Sequence, residues 1–202
     1  MKRVAICLIT LFLLVPPVFA DEGPMATLKP ILTDLTSILL DKNLKGDAHR
    51  QERRARIMTE VKKGFDFREM SKRVLGRTWR TISAEQQQQF TELMTKLLEN
   101  VYIGKFEEYE QHAEKYGVKY VGELVKGRRA QVTTEIAGGK QGQLVHYVMQ
   151  LDGDVWKVYD VNIEGMSLIR NYQEQFKSIL RTEKFAGLVK TIEKKIAELE
   201  AN

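Results

Sequence analysis

The hydrophobic period of this chain changes twice, and that change limits the folds open to it. Apolar side chains recur every three to four positions from residue 24 to about 112 and every second position from 117 to about 163. The helical spacing then returns from 167 to 201. A period near 3.6 needs a helix with one buried stripe, and a period of 2 needs a strand with one buried face. Helices therefore flank a block that reads as four consecutive strands. That order specifies an α+β fold with an antiparallel sheet rather than alternating βαβ units.

In the first block, Leu28, Ile31, Leu32, Leu35, Ile38 and Leu39 mark one helix. Gly46 separates it from a basic helix with Ile57, Met58 and Val61 on its apolar side, which ends at Gly64. Asp66 with Glu69, and Ser83 with Gln86, have capping-box spacing, and Gly76 sits where a helix C-cap belongs. The clearest helix carries Phe90, Leu93, Met94, Leu97, Leu98, Val101 and Tyr102. Gly104 is expected to interrupt it, with Phe106 and Tyr109 as a short continuation.

In the second block, Ala130, Val132, Thr134 and Ile136 alternate with Arg129, Gln131, Thr133 and Glu135. One face is apolar and the other wet, as in an antiparallel strand. Gly138-Gly139 predicts a hairpin turn, Val145, Tyr147, Met149 and Leu151 the next inward face, and Asp152-Gly153 a second turn. The last strand reads as apolar on both sides: Val155, Tyr159, Val161 and Ile163 on one, Trp156 and Val158 on the other. The third block has Leu168, Ile169, Tyr172, Phe176, Ile179 and Leu180 on one stripe. Thr182 is the predicted cap of a final helix bearing Phe185, Leu188, Val189, Ile192, Ile196 and Leu199. No repeat, low-complexity stretch or flexible linker divides the blocks, so they are expected to pack as one unit.

The N-terminus is a separate matter. Lys2 and Arg3 precede an apolar run from Val4 to Val15, Pro16-Pro17 break it, and Val18-Phe19-Ala20 precedes Asp21. This predicts a cleaved signal peptide over 1–20 and a functional domain over 21–202. The run is shorter than the roughly 20 residues that span a bilayer. Cys7 is the only cysteine and lies in that segment, after Ile6, so the exported chain has no thiol for a disulfide, a nucleophile or a metal. Losing Lys2 and Arg3 lowers the formal charge from +5 to +3, weak for a nucleic-acid binder. The densest basic stretch is Arg50, Arg53, Arg54, Arg56, Lys62 and Lys63, read first as a solvated helix face.

Catalytic signatures are sparse. His49, His112 and His146 have no metal-ligand spacing, and His146 reads as a structural residue on the outward face of its strand. Ser167 lacks the second glycine of a nucleophile elbow and reads as a helix N-cap. No phosphate-cradling glycine loop occurs. Asp160 stands between Tyr159 and Val161. It is either a general base with a raised pKa or, preferentially, a structural partner of an arginine such as Arg73 or Arg77. What remains is more apolar stripe than chemistry, consistent with a cavity enclosed by helices and sheet.

Two segments carry a resemblance. Phe65-Asp66-Phe67-Arg68-Glu69-Met70 runs on to Leu75-Gly76-Arg77-Thr78-Trp79. Val158-Tyr159-Asp160-Val161-Asn162-Ile163-Glu164-Gly165-Met166-Ser167-Leu168 is followed by Asn171-Tyr172 and Phe176. In this order and separation they resemble the MlaC, or toluene-tolerance, family across the exported chain. The resemblance implies an NTF2-like curved antiparallel sheet wrapped by helices, with additional helices. It implies a Gram-negative periplasmic carrier, not an enzyme, with phospholipid as bound cargo and no cofactor or metal. The carrier would shuttle lipid between an outer-membrane lipoprotein complex and an inner-membrane ABC transporter with an MCE-domain subunit, maintaining outer-membrane lipid asymmetry. A monomer is expected.

A carrier needs a large apolar cavity, at or beyond the roughly 1,000 Å³ upper end of ordinary ligand pockets. The expected acyl-chain contacts are the inward sheet face and the helices over it: Tyr102, Val132, Val145, Tyr147, Met149, Val161, Ile163, Leu168, Tyr172, Phe176, Phe185, Leu188 and Ile192. Arg53, Arg54, Lys62 and Lys63 are candidates for steering the carrier to acidic partners. Two alternatives stand beside the carrier: a ligand-free periplasmic adaptor, and an NTF2-like enzyme with Asp160 as base acting on a hydrophobic small molecule.

Overall fold

The computed structural model describes residues 23–110, 117–137 and 142–201, with backbone alone over 103–110. The predicted signal segment 1–20, His112 and the Gly138-Gly139 turn lie outside the described residues. The helices are α1 (Pro24–Leu40), α2 (Arg50–Gly64), α3 (Phe67–Leu75) and α4 (Ala84–Glu110), then α5 (Leu168–Thr182) and α6 (Lys184–Glu200). Between them come β1 (Gly117–Lys126), β2 (Arg129–Ala137), β3 (Gln143–Asp152), β4 (Val155–Ile163) and β5 (Met166–Ser167). The strands form one antiparallel meander in the order β1-β2-β3-β4-β5, so the fold is α+β as expected. The fifth strand was not expected, since two residues are too few to show a period. Gly127 (φ +60°) and Gly153 (φ +59°) turn the β1–β2 and β3–β4 hairpins in the left-handed region that favours glycine.

The sheet is covered on its inward face by α1 and α2. Leu28, Ile31 and Leu35 of α1 and Ile57 and Met58 of α2 form one core with Val132, Tyr147, Met149 and Val158. The α2 backbone comes close to α1 at Gly64, where a Cβ would stand 2.4 Å from Ile31 Cδ1. Arg53, only 5% exposed, holds the start of α2 to the connection from α1 by donating to the carbonyls of Leu44 and Gly46. A second core joins α3, α4, α5 and α6 around Phe90, Met94, Phe176, Leu188 and Ile192.

Several local expectations are met. The Ser83 N–H donates to Gln86 Oε1 (3.0 Å) and the Gln86 N–H to Ser83 Oγ (3.3 Å), a reciprocal box at the start of α4. Gly76 caps α3 with φ +55°. Others need correction. Asp66 does cap α3, accepting from the Glu69 N–H at 2.8 Å. The Glu69 side chain does not return the bond. It pairs with Lys72 and Arg73, while the Asp66 N–H donates to the Val158 carbonyl, tying the α2–α3 connection to β4. A bridge between Phe65 and Val158 covers that side of β4.

Gly104 does not interrupt α4, which runs 27 residues. One internal glycine costs about 1 kcal/mol, a penalty that packing on α3 and α6 outweighs. Thr182 does not cap α6. It is the last residue of α5, donating to the Ser178 carbonyl at 3.0 Å, and the chain turns at Lys184 with φ +61°.

β4 is covered on both faces as expected, but the assignment of its residues to those faces needs correction. The β3–β4 register shifts at Val148/Met149, where Val148 pairs with Asp160 and Met149 with Val158. Tyr159 is the extra residue of a β-bulge, which reverses the side-chain alternation. Trp156 and Val158 before it, and Val161 and Ile163 after it, thus share the inward core. Tyr159 packs instead with the helical core, and Val155 is exposed.

Candidate functional site

An apolar cavity of about 370 Å³ lies between the α1–α2 layer and the sheet. Register builds its floor: Tyr147 stands opposite Val132 on β2 and Val161 on β4, and Val145 opposite Ile163. Leu32, Leu35 and Leu39 of α1 and Ile57, Met58 and Val61 of α2 form its roof. Phe65, Phe67 and Leu168 close one side, and Leu98, Glu99 and Tyr102 of α4 another. Val118 and Ile136 bring in the strand ends.

The polar groups on this wall are few. Burial pushes the Tyr147 hydroxyl up to about 12 and raises that of Tyr102, so both are neutral donors at physiological pH. Thr36 and Gln143 add neutral dipoles, and Glu99 is the one charged side chain among the described lining residues. Among the described residues no group of three or more His, Cys, Asp or Glu side chains is placed to hold a metal ion. Among the described residues the wall offers apolar contact and no nucleophile beside a base.

Six of the thirteen predicted contacts meet here: Tyr102, Val145, Tyr147, Val161, Ile163 and Leu168. Val132 and Met149 point to the same side of the sheet but sit deeper, fully enclosed by other side chains. Tyr172, Phe176, Phe185, Leu188 and Ile192 lie elsewhere, in the helical core, with Phe176 against Phe90 at a ring separation of 6.4 Å. Their stripes face α3 and α4, not the inward face of the sheet. The roof residues of α1 and α2 were legible as stripes but not as cavity wall. The available signal was the short Asp41–His49 connection, which makes α1 and α2 one layer.

Asp160 lies outside the cavity. It accepts from Ser167 Oγ (2.6 Å) and from the Ile169 N–H (3.1 Å), and Ser167 Oγ in turn accepts from the Arg170 N–H (3.1 Å). Its partner is therefore the N-terminus of α5 and not an arginine, because the tight Glu164–Gly165 turn brings that terminus back over the bulge. Arg73 instead lies over the Tyr159 ring at 4.0 Å and pairs with Glu69 at 2.9 Å. His146 Nδ1 lies 3.0 Å from Thr133 Oγ1 on the outward face, as expected of a structural histidine.

The basic face of α2 is more engaged than expected. Beyond Arg53, Arg54 reaches Glu99 and Asn100 on α4, Arg56 pairs with Glu52, and Lys63 with Glu60. Arg53 and Arg54 thus brace the fold and do not form a free steering surface; Lys62 and Lys63 remain exposed. No described helix is long and apolar enough to cross a membrane.

These features define a class: a helix-covered antiparallel sheet built around an apolar cavity. The chain belongs to the MlaC family, whose model, described as MlaC protein, matches residues 29–194. Among solved structures the chain is similar to a phospholipid-binding protein from Ralstonia solanacearum in complex with a phospholipid. The TM-score is 0.75 at 24% identity, covering 88% of this chain and 99% of that one, a likeness of fold. No curated protein matches the sequence.

Proposed function

We propose that this protein is a periplasmic phospholipid carrier that holds acyl chains in the cavity beneath α1 and α2. The observation that carries this reading is an enclosure lined almost wholly by apolar side chains among the described residues, in a chain of the MlaC family. The neighbour in fold was solved with a phospholipid bound, which supports it. An exposed acyl chain costs about 0.8 kcal/mol per methylene, so lipid needs such an enclosure to cross water. The cargo is the ligand; no cofactor is invoked. Its route runs between an outer-membrane lipoprotein complex and an inner-membrane ABC transporter with an MCE-domain subunit, serving outer-membrane lipid asymmetry. The segment 1–20 directs export.

The cavity is smaller than expected, near the low end of the roughly 300–1,000 Å³ common for ligand sites. Four aromatic side chains, Phe65, Phe67, Tyr102 and Tyr147, stand on its walls and take up space. Loading a two-chain lipid therefore requires the cavity to widen. Asp160 supports the carrier over the enzyme: its two carboxylate oxygens are engaged by the Ser167 hydroxyl and the Ile169 N–H, and the polar hollow it lines with Arg73, Tyr159 and Gln173 shares no lining residue with the apolar cavity. The test is transfer of a labelled phospholipid from donor to acceptor vesicles. Added protein is expected to raise the rate in proportion to its concentration; a rate equal to that without protein would contradict the proposal.

A further inference from the structure

We propose that the adjoining tips of the β1–β2 and β3–β4 hairpins form a docking surface for anionic lipid bilayers, a property independent of what the cavity holds. β1 is an edge strand of the sheet, and Val121, Leu124 and Val125 on it are 54%, 70% and 49% exposed. Val155, at the start of β4, is 48% exposed. The first tip, Lys126-Gly127-Arg128-Arg129, carries three exposed cations, of which Lys126 and Arg129 are direct cross-strand partners. The ion pair on this hairpin is Lys119–Glu135, near its other end, and none of the three cations has one among the described residues. The two tips are tied together: the Leu151 N–H donates to the Arg128 carbonyl (3.0 Å), and Arg128 Nη2 donates to the Leu151 carbonyl (2.7 Å). Lys157 extends the row Arg129, Gln150, Lys157 and donates to the Lys63 carbonyl, which brings exposed Lys62 and Lys63 to the same end. The carboxylates facing these cations are Asp152, Asp154, Glu123 and Glu60. Two of them are already engaged, Glu60 by Lys63 and Glu123 by the Met25 N–H.

Folding alone does not account for this edge. Like charges directly opposite one another, as at Lys126 and Arg129, are destabilising. Charge on an edge strand does resist unwanted pairing, but that does not explain three exposed apolar side chains on the same strand. An added strand is a poor occupant, because Val121 is the extra residue of a bulge between Tyr120 and Gly122 that breaks the edge ladder. Leu124 and Val125 are neighbours on a strand, so they point to opposite faces of the sheet, and both are exposed. A docked protein surface covers one face of such a tip, whereas a bilayer interface takes in both. Apolar side chains beside Lys and Arg suit an anionic interface, where burial and charge attraction add. Val118, Ile136 and Gln143 line the cavity at the other ends of these strands, so docking through the tips does not cover them.

The experiment is co-flotation of the protein, expressed from its full sequence and purified without detergent, with two kinds of vesicle: phosphatidylcholine alone, and equimolar phosphatidylcholine and phosphatidylglycerol. The wild type is expected to float with the anionic vesicles only, and less so as salt is raised. Lys126→Gln combined with Arg129→Gln, at about fivefold for each charge, is expected to lower the partition about 25-fold. Arg129→Gln alone serves if the double variant does not fold. Leu124→Ser is expected to lower the partition several-fold. Lys190→Gln combined with Lys194→Gln removes the same charge from exposed positions on α6 and is expected to bind as the wild type does. Equal flotation with both vesicles, no flotation of the wild type, an undiminished partition in the hairpin charge variant, or an equal loss in the α6 variant overturns the docking surface. A partition that falls in the charge variant but not in Leu124→Ser also overturns bilayer docking and assigns the edge to an acidic protein. Phospholipid extracted from the same preparation reports on the carrier reading separately, since docking does not require a filled cavity.

Discussion

Two valines show how much depends on depth within one sheet face. Val132 and Val161 stand on either side of Tyr147, and alternation alone makes them equivalent. Val161 lines the cavity, whereas Val132 is fully buried with no space beside it. Val161→Trp is therefore expected to lower bound lipid while the denaturation midpoint changes little. Val132→Trp overpacks the core and is expected to cost about 1–3 kcal/mol of stability, seen in urea titration. Equal lipid loading in wild type and a folded Val161→Trp would remove Val161 from the site. Tyr147 makes a second prediction. The unfolded chain releases its phenolic proton near pH 10 and the folded chain near 12, so the native state binds more protons in between. Its contribution is complete below about pH 10 and is lost as pH rises toward 12. The thermal midpoint should fall less steeply over that range in Tyr147→Phe, and identical slopes would contradict the assignment.

At the scale of elements, the helices and four of the five strands were legible because their periods run long enough to read. The features that were not legible are set by tertiary contact. The bulge at Tyr159 leaves no mark in a hydrophobicity pattern, since Tyr159, Val161 and Ile163 read as a regular strand. Yet it decides that Trp156 and Val158 face inward. It also turns Asp160 toward α5, replacing the expected arginine with the helix terminus. Asp160→Asn keeps the shape but weakens the bonds to Ser167 and Ile169, and a cost of about 1–3 kcal/mol is expected. Chemical denaturation measures it, and lipid stoichiometry should not change. An unaltered midpoint would mean that the carboxylate does not anchor α5. The stripes of α5 and α6 were read correctly as buried, but a stripe does not say what buries it. Here α3 and α4 take that role, and the short α1–α2 layer takes the sheet.

At the scale of the whole molecule, the fold divides into a closed helical core and a sheet core left open along one seam. The closed core holds Phe90 against Phe176 and Phe185. The open one keeps about 370 Å³ of apolar space between layers that otherwise pack closely. Family resemblance led to this arrangement sooner than physics did. Composition and periodicity gave an α+β domain rich in apolar stripe, while the two motifs around Asp66 and Asp160 pointed to a lipid carrier. Both motifs turn out to be joints, one tying the α2–α3 connection to β4 and the other tying α5 to the bulge. Neither motif's aspartate lines the cavity.

The central claim is that the seam holds acyl chains. Mass spectrometry of an organic extract of the protein, purified from periplasm without detergent, tests it most directly. Near-stoichiometric phospholipid is the predicted result. A lipid-free extract from well-folded protein would contradict the account.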